Sequence, residues 1–360
     1  MTLADLGWND ALALTFSPHA AAGLEPARVV CELRRNFYAV QTASGEVLAE
    51  CGSGFFHHAR KPDQFPAVGD WVAVRIRAGE QRADLHAVLP RRTKFSRRAS
   101  GSEEIEQIVA ANIDTVFLVS GLDLNFNPKR IQRFLVAAKE SGAEAVVILN
   151  KSDVCEDAEK VRAEVEILVP GVPVYITSSI TRKGLKALAA TYLKAGRTLA
   201  FIGSSGVGKS SLINALVRDD ALPTAEVREK DSKGRHTTTR RELVVTPSGA
   251  LVIDTPGMRE LQLWGVSDGL DDAFADIKEL SSRCRFTGCG HTNEPGCAVR
   301  IALEQGELTQ LRFDSYLKLK EEKAASLPKV RKPSALASKP GWNHKSEGQK
   351  PFRFRFHQDD

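Results

Sequence analysis

The sequence contains no apolar run approaching the ~18 residues that a membrane-spanning helix needs. Its N-terminus, Met-Thr-Leu-Ala-Asp-Leu-Gly-Trp, lacks the basic start and apolar core of a secretory signal. A membrane protein and a secreted precursor are therefore not expected, and a cytoplasmic protein with no membrane partner is. There is no internal repeat, so a repeat architecture is not expected either. A strong net charge is also missing: 50 Lys and Arg stand against 45 Asp and Glu, a formal +5, so what matters is where the basic residues cluster. Cysteine is scarce, with six in 360 residues, which is too few for a disulfide scaffold. Cys31, Cys51 and Cys155 are scattered, whereas Cys284, Cys289 and Cys297 share one short stretch and read as metal ligands in a reducing compartment. The length exceeds one comfortable core and predicts two or three domains.

What is present changes grammar along the chain. Residues 1–25 are weakly patterned and predict an arm or a short helix. From 26 to 98 short strand-like segments recur, among them Val29–Leu33, Phe37–Val40, Val47–Cys51 and Val68–Ile76, separated by polar or Gly-containing turns. This pattern predicts a small closed β-barrel of the oligonucleotide-binding (OB) type, with an SH3-like barrel as the competitor. Such barrels often bind RNA. The run Arg91-Arg92-Thr93-Lys94-Phe95-Ser96-Arg97-Arg98 places five positive charges in eight residues beside that barrel. It reads as a solvated linker or, because of its neighbour, as an RNA-backbone contact.

Over 105–265 buried strands alternate with helical patterns: Asp114–Ser120, Ala145–Asn150, Val172–Thr177 and Thr198–Gly203 are apolar runs, and Ile131–Ala138 is helical. A doubly wound parallel α/β sheet is expected, with a hairpin formed by Glu242–Val245 and Leu251–Asp254. A Cys- and His-bearing, mainly helical unit is expected over 270–325. The tail over 326–360 reads as disordered: from Lys318 onward eleven Lys and Arg face five Asp and Glu.

The chemistry is concentrated in four motifs. Gly203-Ser204-Ser205-Gly206-Val207-Gly208-Lys209-Ser210 follows a β-run and opens a helix beginning at Ser211, the full pattern of a phosphate-binding loop. Its glycines let the backbone curl so that N–H groups point at phosphate oxygens, and the helix N-terminus adds partial positive charge. Lys209 is expected to reach the β- and γ-phosphates and Ser210 to supply a hydroxyl to Mg²⁺. Asp254-Thr255-Pro256-Gly257, about 50 residues later, ends a strand and fits a second switch, with Asp254 facing Mg²⁺ through water and Gly257 offering its amide to the γ-phosphate.

Asn150-Lys151-Ser152-Asp153 ends another β-run. Asp153 can accept from guanine N1–H and the exocyclic amine, whereas adenine would leave that carboxylate unpaired. Asn150 can bridge to the phosphate-loop side, the Lys151 stem can cover the base, and Thr177-Ser178-Ser179 can present an amide to guanine O6. The order is unusual, because the base-reading motif precedes the phosphate loop. In a doubly wound sheet the ligand lies at the carboxyl ends of the strands whatever their order in the chain, so a circular permutation preserves the site.

Cys284, Cys289, His291 and Cys297 supply three thiolates and one imidazole within fourteen residues. This donor set predicts one closed, structural tetrahedral zinc site per chain; redox-active or unligated cysteines are the competing reading.

Together these features resemble the circularly permuted, zinc-containing ribosome-assembly GTPases known as ribosome small subunit-dependent GTPase A, over roughly residues 25 to 320. The resemblance implies GTP hydrolysis to GDP and phosphate, binding to 16S ribosomal RNA, and assistance to late maturation of the 30S ribosomal subunit, which stimulates hydrolysis. It also makes Gly234–Thr239 the first switch, with Thr238 as a candidate Mg²⁺ ligand. The position just after Gly257, where many GTPases carry a water-orienting glutamine, holds Met258. His236 is then the nearest candidate catalytic group, against the plainer reading that it contacts RNA or solvent. A monomer is expected. The alternative function is an RNA-binding assembly scaffold whose nucleotide only stabilises its fold.

Overall fold

A computed structural model describes residues 1–34, 36–98, 106–124, 126–220, 242–254 and 268–326. The second switch beyond Asp254, the first switch with His236 and Thr238, and the C-terminal tail lie outside these residues.

The N-terminal segment forms helix α1 (Asp10–Ala21), whose first turn is capped by Asn9 Oδ1 accepting from the Leu12 amide at 3.0 Å. Five strands follow: β1 (Glu25–Arg34), β2 (Phe37–Thr42), β3 (Gly45–Cys51), β4 (Trp71–Ile76) and β5 (Arg82–Val88), with helix α2 (Ser53–His58) between β3 and β4. They pair β1-β2-β3-β5-β4, and β4 returns to β1, which closes the barrel; β3 and β5 run parallel and the other pairs antiparallel. Alternate side chains (Val29, Val40, Ala49, Val72, Val74, Leu85) fill its interior.

The basic run is not a solvated linker. Strand β6 (Lys94–Arg98) pairs antiparallel with β7 (Glu106–Ala111). Arg91 forms a two-pronged pair with fully buried Asp70, Arg92 pairs with Asp114, and Lys94 pairs with Glu106 at 2.9 Å. Three of the five charges are thus committed within the protein.

Through the pairing of β1 with β12 the same sheet continues into a second portion, built from β8 (Thr115–Gly121), β9 (Glu144–Asn150), β10 (Val174–Ile176), β11 (Thr198–Ile202), β12 (Glu242–Val245) and β13 (Leu251–Asp254). Its order is β10-β9-β8-β11-β13-β12, all parallel except β12. Its strands are apolar on both faces because both are covered. Leu118, Val147, Leu149 and Ile202 pack towards helix α3 (Pro128–Ser141), whereas Phe117, Ile148, Leu199 and Phe201 pack towards α5 (Leu185–Tyr192) and α6 (Lys209–Asp220). Helix α4 (Ala158–Leu168) precedes β10.

Helices α7 (Asp268–Ala273), α8 (Ala275–Ser282), α9 (Ala298–Glu304) and α10 (Gln310–Ser326) complete the described chain and pack into the same core as α3. Arg312 of α10, 3% exposed, forms a two-pronged pair with Asp276 and donates to the carbonyls of Leu168 and Ala273, so one buried guanidinium joins α10 to α4 and α7. Among the described residues no helix is long and apolar enough to cross a membrane.

Candidate functional site

The phosphate loop joins β11 to α6, and two of its glycines are demanded by contact. A Cβ on Gly203 would lie 2.4 Å from the Val119 carbonyl oxygen, and one on Gly208, where φ is +90°, would lie 2.5 Å from Asn150 Nδ2. Neither position has room for a side chain. Lys209 folds back over the loop and donates to the carbonyls of Gly203 and Ser204, both at 2.6 Å. Val207 is buried in the apolar layer under α6, which anchors the loop, while Ser205, Gly206, Ser210 and Ser211 face solvent. The amides opening α6 therefore border the space an anion would occupy.

The base-reading candidates arrive from β9 and β10. Asn150, 1% exposed, donates from Nδ2 to the Val207 carbonyl at 3.1 Å. Its Oδ1 accepts from the hydroxyls of Thr177 and Ser179, both at 3.2 Å. One buried amide thus ties the end of β9 to the phosphate loop, 57 residues away in the chain, and to the 177–179 segment, which begins 27 residues away. Lys151 adopts a left-handed backbone (φ 64°), and its ammonium meets Asp123 at 2.6 Å. The Ser152 amide donates to the Thr177 carbonyl at 3.0 Å. Asp153 is exposed, and fully buried Ser178 donates its hydroxyl to Oδ1 at 2.5 Å. The Ser178 hydroxyl also accepts from the amides of Ile180 and Thr181, which sets the loop around it. Asp254 ends β13 opposite Glu242, at the same carboxyl edge. Gly257 lies outside the described residues.

Two neighbours escape a motif reading. Asp123, just past β8, orients Lys151, and Arg130, in the first turn of α3, donates to the Ser204 hydroxyl at 2.7 Å. The only available signal was position: both follow the strand that pairs beside β11, at its carboxyl end.

The second cluster lies between α8 and α9. The ligand atoms of Cys284, Cys289, His291 and Cys297 all fall within 4.8 Å of one another. Cys284 Sγ is 3.9 Å from Cys297 Sγ, and His291 Nδ1 is 3.7 and 3.4 Å from those two sulfurs. A tetrahedral zinc with Zn–S bonds of about 2.3 Å separates its sulfurs by about 3.8 Å, so this donor set fits the ion. Ser281 Oγ lies 3.1 Å from His291 Nε2 and fixes the ring with Nδ1 towards the thiols. The Glu294 carboxylate accepts from the amides of Gly290, Thr292 and Asn293. Backbone donors, first its own amide and then those of Gly290 and Thr292, hold its carboxyl down at about 2.

A phosphate loop and a base-reading loop set side by side at the carboxyl edge of a doubly wound sheet, in reversed chain order, define a circularly permuted GTPase. Comparisons with known proteins narrow the class. The model of the RsgA GTPase family matches residues 88–264. The small ribosomal subunit biogenesis GTPase RsgA of Opitutus terrae is 45% identical over 359 residues, covering 97% of each chain. The RsgA of Syntrophotalea carbinolica is 42% identical over 334 residues, covering 91% of each. The crystal structure of YjeQ from Thermotoga maritima superposes with a TM-score of 0.63 at 29% identity, covering 84% of this chain and 99% of that one. YloQ, itself described as a circularly permuted GTPase, gives 0.60 at 29%, covering 85% and 96%. The chain belongs to the RsgA GTPase family.

Proposed function

We propose that this protein binds GTP in the cleft between Asn150–Asp153, Thr177–Ser179 and Gly203–Ser211, hydrolyses it to GDP and phosphate, and acts in biogenesis of the small (30S) ribosomal subunit, contacting its 16S ribosomal RNA. The observation that carries the reading is the Asn150 amide, which locks a guanine-type acceptor, Asp153, to a phosphate loop at one sheet edge. Asp153 reads the purine, Lys209 and the loop amides hold the phosphates, and Ser210 with Thr238 holds the Mg²⁺ that offsets charge on the β- and γ-oxygens. Asp254 and Gly257 form the second switch. The cytoplasm is the compartment of action, the barrel supplies RNA affinity, and zinc on Cys284, Cys289, His291 and Cys297 is structural. The protein acts as a monomer.

Met258 offers no hydrogen bond to an attacking water, so hydrolysis by the protein alone is slow. Docking on the subunit brings His236 to the γ-phosphate. The test is phosphate release by the purified protein titrated with small ribosomal subunits. The rate should rise and saturate, and His236→Ala should abolish that rise with GTP affinity nearly intact. A rate that ignores added subunits overturns the reading. A His236→Ala protein still fully stimulated transfers the catalytic role to another group.

A further inference from the structure

A cleft of about 190 Å³ separates the first turns of α3 from the middle of α10. Its walls carry Lys129, Arg130 and Arg133 from α3 and Ser315 and Lys318 from α10. Arg133 is compensated by Glu322 of α10, at 2.5 and 2.6 Å. Lys129, Arg130 and Lys318 have no carboxylate partner among the described residues, and Arg130 spends one N–H on the neutral Ser204 hydroxyl. Three cations without a carboxylate partner thus border one cleft between two packed helices, a local excess of positive charge that an entering anion offsets.

From this charge and placement we infer that the α3–α10 cleft docks a phosphodiester of ribosomal RNA, a contact that rests on the ribosomal role proposed above. Lys129 and Lys318 are exposed on the rim. They therefore border the cleft without enclosing it, which suits a phosphate carried on a chain better than a free ion. Leu319 is buried, and no exposed apolar anchor of the kind an acidic peptide would need lines the cleft. The inner wall gives the site its consequence. Arg130 faces the cleft and bonds the phosphate loop at once, so the docked RNA and the nucleotide loop share one guanidinium.

The test measures binding of the full-length protein to purified small subunits across a range of salt, comparing wild type, Lys129→Ala/Lys318→Ala, and a charge-matched control, Lys160→Ala/Lys186→Ala, on exposed faces of α4 and α5. The cleft variant should bind several-fold more weakly. Its plot of log affinity against log salt should be shallower by about two, roughly one per lost lysine–phosphate contact. Hydrolysis without subunits should stay at the wild-type rate, since neither lysine belongs to the nucleotide site. A cleft variant that matches wild type in affinity and slope overturns the inference and leaves the ribosomal role standing, as does a control variant weakened equally. Wild-type protein that binds no subunits overturns both.

Discussion

In the nucleotide site proposed above, selectivity rests on one carboxylate. Asp153 is exposed and oriented by a single 2.5 Å hydrogen bond from Ser178, whose hydroxyl is itself fixed by the amides of Ile180 and Thr181. That geometry leaves Oδ2 and the remaining lone pairs for two donors on one edge of a purine, the pattern guanine presents. Replacing Asp153 by Asn exchanges an acceptor for a donor and sets N–H against N–H. Asp153→Asn should weaken GTP by at least about tenfold, the effect of one hydrogen bond to a charged group. It should favour XTP, whose extra carbonyl accepts what the amide donates. Competition binding with GTP, XTP and ATP checks this. Unchanged GTP affinity would show that the 150–153 motif does not read the base. Nearby Gly208 shows how the two motifs fit together: the Asn150 amide occupies the space its Cβ would take, so the 203–210 loop is shaped by the residue that opens the 150–153 motif.

Among the elements, the segment between α8 and α9 carries the four donors proposed above to hold zinc. Apart from the four donors, it is held by Glu294 gathering three amides, Ser281 against His291, Arg300 donating to the Thr292 carbonyl and Asn293 side chain, and Cys297 opening α9. Cys289→Ala removes one of four ligands. Metal analysis should fall from one zinc per chain towards zero, and this region should lose protection against proteolysis, because structural zinc binding is folding free energy. GTP affinity should largely survive, since the nucleotide loops hang on the sheet and not on this segment. Wild-type protein free of zinc would end this reading.

The Cys/His cluster and the glycine-rich loop between β11 and α6 were both legible in the sequence for the same physical reason: each packs its residues into a contiguous run whose spacing is set by local backbone geometry. The strands of the parallel sheet were legible because burial on both faces writes them as unbroken apolar runs. What stayed hidden depends on distant partners. The 91–98 run reads as a linker because Asp70, Asp114 and Glu106, which absorb its charge, are not beside it in the chain. Arg130 and Arg312 are likewise unremarkable until folding brings Ser204 and Leu168 to them.

At the scale of the whole molecule, barrel and GTPase sheet are held by a residue no motif contains. Arg28 of β1 is 2% exposed. It donates to the Leu6 carbonyl in the N-terminal arm, to Gly69 and Asn112 carbonyls at 3.3 Å, and to the Thr198 hydroxyl at 2.8 Å, 170 residues away at the start of β11. It also lies 5.4 Å from the ring centroid of Trp71, and burial pulls its guanidinium down to about 10 against the opposing pull of Asp114. The charge is retained because four acceptors on three parts of the chain converge on it. Arg28→Met keeps most of the volume and the apolar contact but removes every donor. Gly69 retains the Asn112 side-chain amide at 3.1 Å, so the loss falls chiefly on Leu6, Asn112 and Thr198. Leaving such buried acceptors unpaired costs about 1–3 kcal/mol each, partly recovered by water and relaxation, so a net loss of about 3 kcal/mol is expected. Calorimetry should show the midpoint falling by several degrees and the barrel melting apart from the GTPase domain. GTP affinity measured below the transition should be unchanged, because the junction lies at the amino ends of β8 and β11 and the nucleotide loops at their carboxyl ends. A single transition at the wild-type midpoint would show that the β1–β12 pairing, the bonds of Ala111 and Asn112 to Val68 and Gly69, and apolar packing join the two domains without Arg28.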